Sequence, residues 1–136
     1  MAFEKQSFTH TFRASTGLKQ YQAVDITGAN NRLINPTTTQ PALGVLTSSG
    51  TTGSTGRAGS TDSGSVQEVQ FLGITKVIAG STTIDAGDFL TADTDGRCST
   101  AAASSTGMIF GRALGAVDST STSAHVITVL LSPNKG

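Results

Sequence analysis

The sequence predicts an all-β protein, a small antiparallel barrel or sandwich with an extended N-terminal arm. Three observations carry this expectation. Apolar residues between 66 and 131 gather in short runs, at 66–72, 74–78, 88–92, 108–114 and 125–131, separated by glycine and aspartate turns. Within several runs the apolar positions alternate with period two. No stretch has the length and spacing of a helix: Ala101-Ala102-Ala103 is short and bounded by Ser-Thr and Gly. Apolar residues distributed in this way build a surface, and no constellation suited to chemistry interrupts them.

A chain of 136 residues is long enough for one domain with a real core. The core must be aliphatic, because there is no Trp, one Tyr and six Phe. Charged residues are 13% of the chain against about 25% in typical domains; Ser and Thr take their place. The formal net charge is zero, so no long-range field draws the protein to nucleic acid or to an anionic membrane. Neutrality also makes close packing against copies of itself electrostatically cheap. The single Cys98 excludes an internal disulfide and is expected to be a half-buried strand residue, since Arg97 alone offers nearby positive charge. No apolar segment follows Met1-Ala2-Phe3-Glu4-Lys5-Gln6 as in a signal peptide, and none approaches the roughly 20 residues of a membrane span. The expectation is a protein made in a cytoplasm.

Residues 1–18 form the first unit, followed by a β domain over 19–136. Phe8, His10 and Phe12 alternate with Thr9 and Thr11, as in an extended strand. This segment is either an ordinary first strand or an arm that packs on a partner. Strands are expected at 21–26, at 32–34 before Asn35-Pro36, and at 42–46 after Pro41. Residues 48–65 hold Ser, Thr and Gly with Ala58 as their one apolar residue, so they are expected to be a mobile loop.

In the dense half, the apolar parity changes near Gly73, which signals a bend where a strand turns a corner. Residues 84–88 form a turn, and Asp95-Gly96 is a strong hairpin signal. In 125–131, His125, Ile127, Val129 and Leu131 face one way, and Val126 and Leu130 the other. A strand apolar on both faces is expected to be buried on both, with one face available as a subunit interface.

The candidate chemistry is thin. His10 and His125 are the only histidines, and no Cys or acid lies at a metal-ligand spacing from His125. No Gly-x-Ser-x-Gly elbow joins a strand to a helix. Asp93-Thr94-Asp95-Gly96 starts like a calcium loop but lacks the later Glu, so it is expected to be a turn, as is the Asp85–Asp88 segment. The glycines of 50–64 lack the Gly-Lys-Ser/Thr of a phosphate loop, and Arg57 is their only basic neighbour. No catalytic, cofactor-binding or metal-binding residue is assigned, and the protein is not expected to be an enzyme.

The order of motifs matters more than any one of them. Gln22-Ala-Val-Asp-Ile-Thr is followed by Ala42-Leu-Gly-Val-Leu, Phe71-Leu-Gly-Ile-Thr-Lys-Val, Ala86-Gly-Asp-Phe-Leu, Gly111-Arg-Ala-Leu and Val126-Ile-Thr-Val-Leu-Leu. Over about 20–131 this layout resembles the small β-barrel head-decoration, or capsid cement, proteins of tailed bacteriophages. The resemblance implies a virion protein on the capsid exterior, commonly a homotrimer, that clamps neighbouring major capsid protein subunits. Many weak contacts repeated around a symmetric shell sum to a large stabilisation. The residues expected to contact the capsid or a neighbouring subunit are Phe3, Phe8, His10 and Phe12 in the arm, and His125, Ile127 and Val129 in the last strand. The alternative is a host-surface or glycan-binding module of a fibre or adhesin, suggested by the Ser/Thr/Gly loop but disfavoured by the scarcity of aromatic platforms.

Overall fold

The structure, a computed structural model, describes residues 9–15, 17–28, 31–37, 39–48, 64–80, 83–102, 107–117 and 126–131. It is all-β, with no α-helix among the described residues. The strands are β1 (Thr9–Ala14), β2 (Ala23–Thr27), β3 (Arg32–Ile34), β4 (Gly44–Leu46), β5 (Val66–Gln70), β6 (Gly73–Ile78), β7 (Phe89–Ala92), β8 (Cys98–Thr100), β9 (Gly111–Ala113) and β10 (Val126–Leu131).

The strands divide into two sheets. The first, in the order β1-β3-β2-β4-β5, closes into a barrel through antiparallel pairing of β1 with β5, from Thr9↔Gln70 to Arg13↔Val66. Its β1–β3 pair is parallel, a departure from the expected all-antiparallel arrangement. The second sheet runs β6-β10-β9-β7-β8 and is antiparallel throughout. A bridge between Ala79 and Cys98, with the Gly80 amide donating to the Cys98 carbonyl at 2.7 Å, draws β8 back toward the end of β6.

The parity change at Gly73 marks the crossing between these sheets. Gly73 has φ +84°, and the chain leaves the barrel with β5 and enters the second sheet with β6. Val69 therefore fills the barrel, whereas Val77 lies in the core under the second sheet.

Two cores follow. Ala14, Leu18, Val24, Leu33, Leu46 and Val69 fill the barrel. Val77, Ile84, Leu90, Phe110, Ile127, Val129 and Leu131 line the second sheet and pack on Ala23 and Val45. Strands β2 and β4 thus send Ala23 and Val45 to one core and Val24 and Leu46 to the other. This is why their short apolar runs do not alternate with polar residues. The seam is hydrogen-bonded as well: the Ala23 amide donates to the Gly96 carbonyl at 2.8 Å and the Ile78 amide to the Tyr21 carbonyl at 2.9 Å.

Of the expected arm, residues 9–14 are the barrel strand β1, and 1–8 lie outside the described residues. Most of the 48–65 segment, residues 49–63, is also outside them. Its described ends are tied down: the Gly64 amide donates to the Ala14 carbonyl at 2.8 Å, and Ser48 Oγ donates to Gln67 Oε1 at 2.6 Å.

Candidate functional site

The last strand decides where an interaction surface can lie. Along Val126–Leu131 exposure alternates strictly, with Ile127, Val129 and Leu131 turned into the core and Val126, Thr128 and Leu130 outward. This corrects one expectation. Ile127 and Val129 are 4% and 0% exposed, so they hold the fold together and offer no contact surface. The other face of the strand stands open in the single chain, at Val126 and Leu130. Of the other expected contact residues, His10 is exposed on β1, and Phe12 is half-buried against the barrel core. Their rings meet edge to face at 4.9 Å. Phe3, Phe8 and His125 lie outside the described residues.

Register extends the outward side of β10 into a continuous face. Leu130 stands opposite Ile74 on β6 and Arg112 on β9, and Arg112 stands opposite Phe89 on β7. Four side chains from four adjacent strands therefore form one row, about 14 Å long at the usual strand spacing. A second row sets Thr128 opposite Lys76, with Leu114 beside it through the Leu114 amide bond to the Thr128 carbonyl. Val126 pairs with Ile78 beyond that. Ile74, Phe89, Leu114, Val126 and Leu130 are 63, 53, 45, 43 and 39% exposed. They are five of the seven exposed large apolar side chains among the described residues, so the apolar surface is concentrated on this sheet.

Arg112 is held in place within the face. Its Nε donates to the Gly87 carbonyl at 2.8 Å, and its guanidinium carbon lies 5.2 Å from the Phe89 ring centre. The Ala86-Gly87 turn and the Gly-Arg-Ala-Leu strand, separate motifs in the sequence, thus meet to orient one cation and one aromatic ring. Sequence reasoning did not select Ile74, Phe89, Arg112, Leu114 or Leu130 as contacts. The available signal was the even parity of Val126 and Leu130 in a strand whose odd positions already sufficed for the core.

A polar cleft of about 340 Å³ lies where the two sheets meet, lined in part by Lys19, Gln22, Asn35, Asp95 and Arg97. Gln22 is engaged at both ends of its amide: it donates to Asn35 Oδ1, and its Oε1 accepts from the Lys19 amide at 3.1 Å. The cleft is a stitched seam between the sheets.

The acidic turns are occupied by their own backbones. Asp93 Oδ1 accepts from the amides of Asp95 and Arg97, both at 2.9 Å, and Asp88 Oδ2 accepts from the Asp85 amide and from Thr100 Oγ1, both at 3.0 Å. Among the described residues no three His, Cys, Asp or Glu side chains gather as a metal site. Cys98 is fully buried, more so than expected, and burial pushes its thiol up to about 12, away from reactivity. Among the described residues, no helix is long and apolar enough to cross a membrane.

No protein-family model and no curated protein matches this chain. Among solved structures, it is similar to the N base of the head fiber protein gp8.5 of bacteriophage phi29, with a TM-score of 0.64 and 19% sequence identity. That similarity spans 91% of this chain and 92% of the phage one, so the two share a fold over nearly their whole lengths.

Proposed function

We propose that this chain is a structural protein of a bacteriophage virion that binds the outside of the head and cements neighbouring major capsid subunits. The observation that carries the proposal is the fold shared, end to end, with the base of a phage head fiber protein. The order of motifs in the sequence, which resembles head-decoration proteins, supports it independently. So does the concentration of exposed apolar side chains on one sheet face of a chain with zero net charge. The role is mechanical and non-enzymatic, and the assembled form on this proposal is a homotrimer.

The test is reconstitution. Purified protein is mixed with matching heads that lack it, bound copies are counted, and the product is imaged. Saturation at symmetry-related sites, together with heads that resist heating better than bare ones, is the expected result. A second possibility is favoured by the same neighbour, which is a fiber base: the domain anchors a projecting element and does not brace the shell. Saturable binding with no gain in head stability would select it.

A further inference from the structure

The outward face of the second sheet has a composition that restricts what can cover it. Its apolar members, Ile74, Phe89, Leu114 and Leu130, surround two charged side chains, Lys76 and Arg112, and both are cations. No acidic residue occupies an outward position on β6, β7, β9 or β10. The acids that flank β7 lie in its turns: the Asp88 carboxylate is turned toward the Asp85 amide and Thr100, and that of Asp93 toward the Asp95 and Arg97 amides. A second copy laid face to face on this sheet would bring cation toward cation within an apolar contact, where unpaired charge is most costly. A surface that buries the row and neutralises it must supply apolar side chains and carboxylates together.

We infer that this face, centred on Ile74, Leu130, Arg112 and Phe89, is the docking surface for a different protein, one presenting an apolar patch edged with Asp or Glu side chains. On the proposed function, on which this inference rests, that protein is the capsid subunit. The preset Arg112 offers its remaining guanidinium donors to a carboxylate, and Lys76 offers a second, more mobile charge one row away. The stacked Phe89 ring and the aliphatic side chains supply the desolvated centre of the contact.

The experiment measures binding of four proteins to matching undecorated heads, at low and high salt. They are wild type, the double variant Ile74→Thr/Leu130→Thr, Lys76→Glu, and the barrel-surface control Glu68→Lys. Threonine is well tolerated at exposed strand positions, and circular dichroism melts confirm that each variant is folded. The double variant should bind about tenfold or more weakly. Lys76→Glu should bind about tenfold more weakly at low salt, with the gap narrowing as salt rises. Glu68→Lys should match wild type. Wild-type binding that both face variants retain overturns the assignment of the surface while leaving the virion role intact. Loss of self-association in the double variant, with no effect of Lys76→Glu on head binding, shows the face to be a contact between copies and overturns it too. Failure of wild type itself to bind removes the virion role and this inference with it.

Discussion

Val129→Ala measures whether the odd side of β10 is the core. Val129 is 0% exposed and lies between Thr75 of β6 and Ala113 of β9, on an inner strand of the second sheet. Removing two methyl groups forfeits about 1.6 kcal/mol of transfer free energy at ~0.8 kcal/mol each. Partial collapse around a void of roughly 45 Å³ adds about 1 kcal/mol. The expected loss is therefore about 2–3 kcal/mol, or a fall in Tm of roughly 6–12 °C for a domain of this size. The companion is Ile74→Thr on the outward side, 63% exposed, for which the expected change is within about 0.5 kcal/mol. Urea unfolding of both variants at one pH gives the comparison directly, provided the m-values agree with wild type. A larger loss for Ile74→Thr than for Val129→Ala would show that the inward and outward faces are reversed.

Other perturbations probe the seam, the buried carboxylate and the thiol. Gly96→Ala drives a Cβ into Gln22 Cγ and places it 2.5 Å from the Ala23 carbonyl oxygen, at a φ of +76°. It should cost about 3 kcal/mol or more, combining left-handed strain of about 1–2 kcal/mol with displacement of the hairpin from β2, and thermal melts would read it. Asp25 is 2% exposed, and its carboxylate accepts from the Ile26 amide at 2.8 Å and from Gln40 Nε2 at 2.7 Å. Asp25→Ala should cost roughly 2–4 kcal/mol by leaving those donors unsatisfied, and would release the 35–41 connection to faster amide exchange. Cys98 should resist a thiol reagent at pH 8 until the protein is unfolded. Its folded pKa, about 12, lies above the ordinary 9.0. The unfolded chain therefore gives up the proton first, so the contribution to stability is whole below pH 9 and is lost as pH climbs from 9 toward 12. Cys98→Ala should flatten that alkaline decline.

Much of the fold could be read from residue pattern, because most strands here carry it locally. Arg32–Ile34 emerges with the expected bounds, set by Asn31, which has φ +52°, and by the approach to Pro36. The Asp95-Gly96 hairpin and the corner at Gly73 follow from backbone requirements visible in the sequence. What stayed hidden depends on distant partners. Tyr21 was expected to begin a strand, yet it has φ +65°, with its amide bound to Leu46 and its carbonyl to Ile78, so β2 starts at Ala23. The division into two sheets rests on β2 and β4 serving both cores, which no local period records. The outward apolar face was the least legible. Apolar character alone does not separate a core position such as Ile127 from an outward position such as Leu130. Only the register that stacks Leu130 with Ile74, Arg112 and Phe89 does so.

The most direct measurement is the binding of the wild-type protein to matching undecorated phage heads, counted by quantitative gel analysis and located by cryo-electron microscopy. A virion role predicts saturable binding at symmetry-related sites on the head exterior. Heads that stay bare at protein concentrations far above the number of available sites would contradict it.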